Sequence, residues 1–232
     1  MKRFLLFFLG MLMISLSGFS HALWIETSVT GKKGVSHEVK IFYGEYSEMS
    51  PEKVADWYSD VKDFTIWLVV PGKEKTKLTV TPSEDRYTCS FTPETDGVYS
   101  IYISHDAQKL GGKTKYQFNA SAAVHVGATK EGGVLVDGPP LKFSYDKNSV
   151  NKPITVNAKF NDSPADKFQT TVVSPKGWTL QIAGKDGAAK FTPEWKGKYM
   201  IEIAKTTPEK GDHNGAAYES VWRCNTRLVE VN

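Results

Sequence analysis

Only two cysteines occur in the 232 residues, one in each half of the chain, so no disulfide framework is spelled out. Cys89 and Cys224 are too far apart in sequence to form a C-x-x-C pair, which removes the thioredoxin-type redox motif and the zinc ribbon. A Walker A loop and a G-x-S-x-G elbow are also missing. Ser36-His37-Glu38 begins like a zincin but lacks the second histidine, and it lies in a strand-like run. With no nucleophile set beside a base, the sequence reads as a non-enzyme. Charge of one sign is lacking too: setting aside Lys2 and Arg3, 27 of the 29 basic residues face 26 acidic ones. Such a balance leaves no electrostatic footprint for nucleic acid. Long apolar runs are confined to residues 4–14, too short for a permanent span, so no membrane insertion of the mature chain is expected.

That apolar run follows Lys2 and Arg3 and precedes Ser15, Ser17, Gly18, Ser20 and Ala22, the layout of a secretory leader over residues 1–20. Cleavage after Ser20 places Gly18 at the −3 position, and cleavage after Ala22 places Ser20 there. No cysteine lies nearby to support a lipoprotein route. The expected location is the periplasm, and the remaining ~210 residues suffice for two small domains. Cys89 alternates with Tyr87 and Phe91 on an inward strand face and reads as a buried free thiol. An oxidising compartment also permits a bridge to Cys224.

The chain contains itself twice. "FTPETDGVYSIYIS" from Phe91 recurs as "FTPEWKGKYMIEIA" from Phe191, and "FTIWLVVPGKEKTKLTV" from Phe64 parallels "FQTTVVSPKGWTLQI" from Phe168. Two copies of this size are a tandem duplication, not a solenoid. Period-2 alternation and Gly turns before Val98 and Lys198 predict an all-β fold of two tandem immunoglobulin-like β-sandwich domains. Tyr99 and Tyr199 read as tyrosine corners. The predicted strands A to G fall near 23–29, 36–43, 64–70, 77–81, 86–91, 97–104 and 116–126. In the second copy they fall near 141–146, 154–160, 168–174, 178–183, 188–192, 197–205 and 220–231. The domains are therefore 21–127 and 141–232, joined by a Gly- and Pro-rich linker at 128–140.

The copies differ between strands B and C. The second has "NDSPAD" there, while the first has "GEYSEMSPEKVADWYSDVKD", which predicts a helical insertion. Ser50 suits its cap, Pro51 its first turn, and Val54, Trp57, Tyr58 and Val61 recur at helical spacing. Glu52, Asp56 and Asp60 then line the other face, either as a solvated surface or as an acidic collar that draws cations. An up-and-down strand count collects His21, Glu45, His105 and Asp106 at one end of the first sandwich. It places His37 and His125 at the opposite end, with His213 joining them if the domains stack end to end. His21, His105, Asp106 and Glu45 are thus the candidate metal ligands. His37, His125 and His213 form a second candidate at the domain junction. Packing explains His37 equally well, since it alternates with Val39 and Ile41, and "GDHNG" suits His213 as a loop former.

"HALWIET", "HEVKIFYGE" and "FTPETDGVYSI" together resemble the DUF4198 family, exported β-sandwich proteins described as periplasmic components of nickel or cobalt uptake. Members typically open the mature chain with Ala-His-x-x-Trp, here Ser20-His21-Ala22-Leu23-Trp24. The resemblance implies that His21 is the mature N-terminus, with an α-amine of pKa about 8 beside its imidazole. It also implies a divalent transition-metal cargo, nickel or cobalt, and a membrane permease or outer-membrane component as partner. Nitrogen-rich ligation suits copper as well, and zinc less specifically, so a copper carrier with an N-terminal histidine is the alternative. A different class of reading needs no metal: six Trp and ten Tyr could line the face of an adhesion or assembly module.

Overall fold

The computed structural model describes residues 21–46, 50–70, 72–128 and 132–232; the expected leader lies outside them. In the first copy the strands are β1 (Ala22–Thr27), β2 (Thr30–Gly31), β3 (His37–Glu45), β4 (Ser50–Pro51), β5 (Ile66–Val69), β6 (Thr76–Lys77), β7 (Thr81–Pro82), β8 (Tyr87–Phe91), β9 (Gly97–Asp106) and β10 (Thr114–Val126). One sheet runs β1-β3-β8-β7, and β5, β9 and β10 belong to the facing one. Alternation decides what each strand buries. Leu23 and Ile25, Val39 and Ile41, and Tyr99, Ile101 and Ile103 all point into one core.

The second copy repeats the plan with β11 (Leu141–Tyr145), β12 (Ile154–Phe160), β13 (Ser163–Pro164), β14 (Phe168–Val173), β15 (Thr179–Gly184), β16 (Ala188–Phe191), β17 (Gly197–Thr207), β18 (Gly211–His213), β19 (Ala216–Tyr218) and β20 (Ser220–Val231). Here β11, β12 and β16 face β14, β15, β17 and β20. Both tyrosine corners are present. Tyr99 Oη donates to the Thr95 carbonyl at 2.9 Å, and Tyr199 Oη donates to the Trp195 carbonyl at 3.0 Å. Each corner follows a glycine with φ in the left-handed half of the map, 141° at Gly97 and 128° at Gly197, where a side chain would be strained.

The two sandwiches lie side by side, not end to end. β10 and β20 pair in parallel from Thr114↔Ser220 to Ala120↔Thr226, fusing the two halves into one sheet of order β15-β14-β17-β20-β10-β9-β5-β6. Because β20 gives Cys224 to the first core and Val229 and Val231 to the second, the two cores lie on opposite faces of that sheet. Buried polar side chains stitch the seam. Asn119 donates to the Cys224 carbonyl (2.6 Å), Ser121 to Asn225 Oδ1 (2.9 Å), and Asn225 to the Leu141 carbonyl (2.7 Å). A third apolar cluster, Trp24, Phe42 and Tyr46 against Val173 and Met200, closes the first copy's outer face onto the second.

The helical insertion is not found. After β4, residues 52–65 hold two isolated 3-10 turns, Val54–Asp56 and Val61–Asp63, with no α-helix among the described residues. Lys53 and Trp57 flank the first turn in extended conformation (ψ 137°), and Ser59 takes a left-handed φ of 55°, so the helical ladder cannot propagate. Burial is the reason. Trp57, Val61 and Phe64 plug the open end of the first core, with Trp57 packed against Tyr43 and Tyr87. Cys89 and Cys224 are both free and buried.

Candidate functional site

The insertion folds over the end of the first sandwich where β1 starts and β3 and β9 finish. Gly44 makes its return path possible, since a Cβ there would sit 2.7 Å from the Ser50 carbonyl oxygen. Glu52 follows, its amide donating to the Tyr43 carbonyl at 2.8 Å and its own carbonyl accepting from Trp57 Nε1 at 3.2 Å. So held, the Glu52 carboxylate lies 2.6 Å from His21 Nε2. The imidazole stacks on Tyr43 with centroids 5.8 Å apart. Both partners of the pair remain open to solvent, at 39% and 30% exposure of their side chains.

His105 continues the inward alternation of Tyr99, Ile101 and Ile103. Its Nε2 lies 3.4 Å from Asp60 Oδ1, the second carboxylate that the insertion supplies. Oδ1 also accepts from the Gln108 amide (2.6 Å) and the Ser59 hydroxyl (2.9 Å). Burial alone would raise the Asp60 pKa, but those bonds and the histidine outweigh it and hold the carboxyl below its usual value. The Ser59 hydroxyl accepts from the Lys109 amide, and Tyr58 Oη donates to the Lys109 carbonyl, so insertion and F–G loop are locked together.

The other expected ligands are scattered. Asp106 faces away from His105, as the next residue on a strand must, and pairs with Lys115 (3.1 Å) and Gln117 (2.7 Å). Glu45 ends β3 opposite Ser50, half-buried beside the returning insertion. His213 does not reach the His37 end. Parallel pairing of β10 and β20 brings both F–G loops to the same end, and His213 Nε2 lies 2.9 Å from the Ala107 carbonyl oxygen. His37 bonds Thr27 Oγ1 at 2.8 Å and packs on Phe91, and burial lowers its pKa against the pull of the Ser28 backbone. His125, opposite Thr30 and Val98, is likewise lowered by burial. Among the described residues, no three His, Cys, Asp or Glu side chains are grouped to hold a metal ion.

What the arrangement offers is a pair of histidine–carboxylate couples. A carboxylate only accepts, so the 2.6 Å contact places a proton on His21 Nε2 and, in the neutral ring, leaves the lone pair on Nδ1. This is the outer-shell geometry that orients an imidazole for a cation on its other nitrogen. Glu52 entered the sequence reading only as part of a collar. Its contact with His21 follows from the return of the insertion along β3 at Gly44, on the edge away from β1.

No protein-family profile matches the chain. No curated protein matches it either. Among solved structures, the two fibronectin type-III domain segment from chicken tenascin is similar at 12% identity, covering 89% of this chain and 98% of that one, with a TM-score of 0.24. So low a score carries no argument. The class rests on the strand order and the paired tyrosine corners: a tandem of immunoglobulin-like sandwiches fused through one sheet. Among the described residues, no helix is long and apolar enough to cross a membrane.

Proposed function

We propose that the chain is an exported periplasmic binding protein for a divalent transition-metal ion, with His21 as its mature N-terminal residue. The carrying observation is the 2.6 Å contact between His21 Nε2 and Glu52. It fixes one ring nitrogen and leaves Nδ1 positioned to chelate a cation together with the α-amine that cleavage after Ser20 creates. Both donors are neutral once deprotonated, so affinity rises with pH. The resemblance to exported nickel- and cobalt-uptake proteins supports nickel or cobalt as cargo and a membrane permease or outer-membrane component as partner. A nitrogen-rich site with open positions also suits Cu(II), which the divalent affinity order favours over nickel, so copper carriage is the second reading.

Intact mass of the exported protein tests the first step, and a chain beginning at His21 is expected. Calorimetric titration with Ni(II), Co(II), Cu(II) and Zn(II) tests the second. His21→Ala should weaken binding by about 100-fold or more, and Glu52→Gln by about 10- to 100-fold through loss of the orienting bond. A mature chain beginning at Leu23, or identical isotherms for wild type and His21→Ala, overturns the reading in favour of a metal-free assembly module.

A further inference from the structure

The seam between the two sandwiches opens into a fork. β10 and β20 pair as far as Ala120↔Thr226 and then part, β10 staying with β9 and β2 while β20 stays with β17. A cavity of about 520 Å³ fills the gap, lined on one side by Ala122, Ala123 and His125 and on the other by Arg227 and Leu228. That volume is in the range of small-molecule sites.

Arg227 is the feature that calls for a ligand. It is only 3% exposed, yet every hydrogen-bond partner it has among the described residues is neutral. Nε and Nη2 donate to Ser121 Oγ at 3.3 and 3.2 Å, and Nη1 donates to the Val134 carbonyl at 2.7 Å. The guanidinium also lies over Phe143, 5.0 Å from the ring centroid. Removal from water pulls its pKa down to about 10, with Tyr145 opposing. A buried cation is normally matched by an anion. Among the described residues three of its five N–H groups are used, which leaves one on each terminal nitrogen, the spacing that a planar carboxylate accepts in bidentate fashion. The remaining walls include Ile25, and Thr30 and Asn148 are polar residues that also line the cavity.

We infer that this fork binds a small organic carboxylate, its carboxylate on Arg227 and its apolar body against Ile25, Ala122 and Leu228. One cation matches one negative charge. A phosphate dianion would bring a second charge into a cavity that Glu230 already makes less welcoming to anions. The site is separate from the His21–Glu52 pair. That pair caps the end of the sandwich where β10 begins, whereas the fork lies where β10 finishes.

The test is a titration of the ¹⁵N-labelled mature protein with hexanoate, its uncharged analogue hexanamide, and inorganic phosphate. Hexanoate should shift the amides of Ala122, Ala123, Leu228 and Tyr145 with a Kd under about 10 mM, at least about tenfold tighter than hexanamide. Phosphate should leave those amides in place. Ala123→Phe fills the cavity while retaining Arg227 and should abolish the hexanoate shifts while Tm is kept. Arg227→Met should equalise hexanoate and hexanamide if it folds, and the Ala123 variant decides the matter if it does not. Equal shifts by acid and amide, no shift by hexanoate, a response to phosphate alone, or hexanoate shifts that survive Ala123→Phe would each overturn the proposal. None of these outcomes depends on metal binding.

Discussion

The two copies carry the same corner tyrosine and the same glycine before it, but they finish the equivalent end differently. By the hundred-residue offset that aligns Phe91 with Phe191, His105 corresponds to Lys205. Each reaches the B–C connection of its own copy. His105 meets the Asp60 carboxylate, whereas Lys205 Nζ donates to the backbone carbonyls of Asp166 and Lys167. Two residues before Leu23 stands His21, and two before Leu141 stands Pro139. The second B–C connection opens on a tight turn with Asn161 and Asp162 at φ 46° and 67°, and the Asp162 carboxylate there pairs with Lys142 at 2.6 Å, not with Lys205. The scaffold is therefore duplicated and the imidazole–carboxylate chemistry is not, which is what a site added to one copy looks like.

The sharpest way to break this picture is through the cores. Ile101 and Ile201 are equivalent, and both are fully buried. Replacing either by Ala should cost about 2–5 kcal/mol. Because the sheet runs unbroken through β20 and β10, both variants should lower one shared transition in urea or calorimetry. Two resolved transitions, with Ile201→Ala moving only one of them, would show that the halves are independent domains.

A finer test compares the corners. Tyr99 Oη accepts from the amides of Glu94 and Thr95, while among the described residues Tyr199 Oη accepts from one amide, that of Trp195. Removing a hydroxyl deletes these part-buried hydrogen bonds, so Tyr99→Phe should cost about 0.5–1.5 kcal/mol. Tyr199→Phe, with one amide bond to lose, should cost less. Equal losses measured by urea unfolding would remove this asymmetry from the comparison.

Much of the scaffold was legible because a strand buried on one face writes its own alternation, as Val39 and Ile41 or Tyr99, Ile101 and Ile103 do. Asp106 was misplaced although the same rule forbids it from sharing a face with His105. The insertion misled for a different reason. The spacing of Val54, Trp57, Tyr58 and Val61 fits a helix, and it fits equally well two short turns whose side chains plug a sandwich. Side-by-side fusion has no local code, yet β20 held a clue. Cys224 and Val229 lie at positions of opposite parity and are both fully buried. Burial on both faces marks an interior strand of a wider sheet.

The smallest expected effect is the response to acid, and it again separates the copies. Burial lowers the pKa of His37 and of His125, and both belong to the first copy. Unfolded, each titrates near 6.5, so between that value and the lowered folded one the unfolded chain binds more protons. Stability is therefore fully present above pH 6.5 and declines as the pH falls. The second copy's lowered groups include Asp146 and Glu209, which lose their contribution only in the carboxylate range. Urea unfolding of wild type between about pH 7.5 and 5.5 should show a decline that His37→Gln reduces. A flat profile in the wild type would mean that His37 is as easily protonated folded as unfolded, and would leave the two copies alike in this respect.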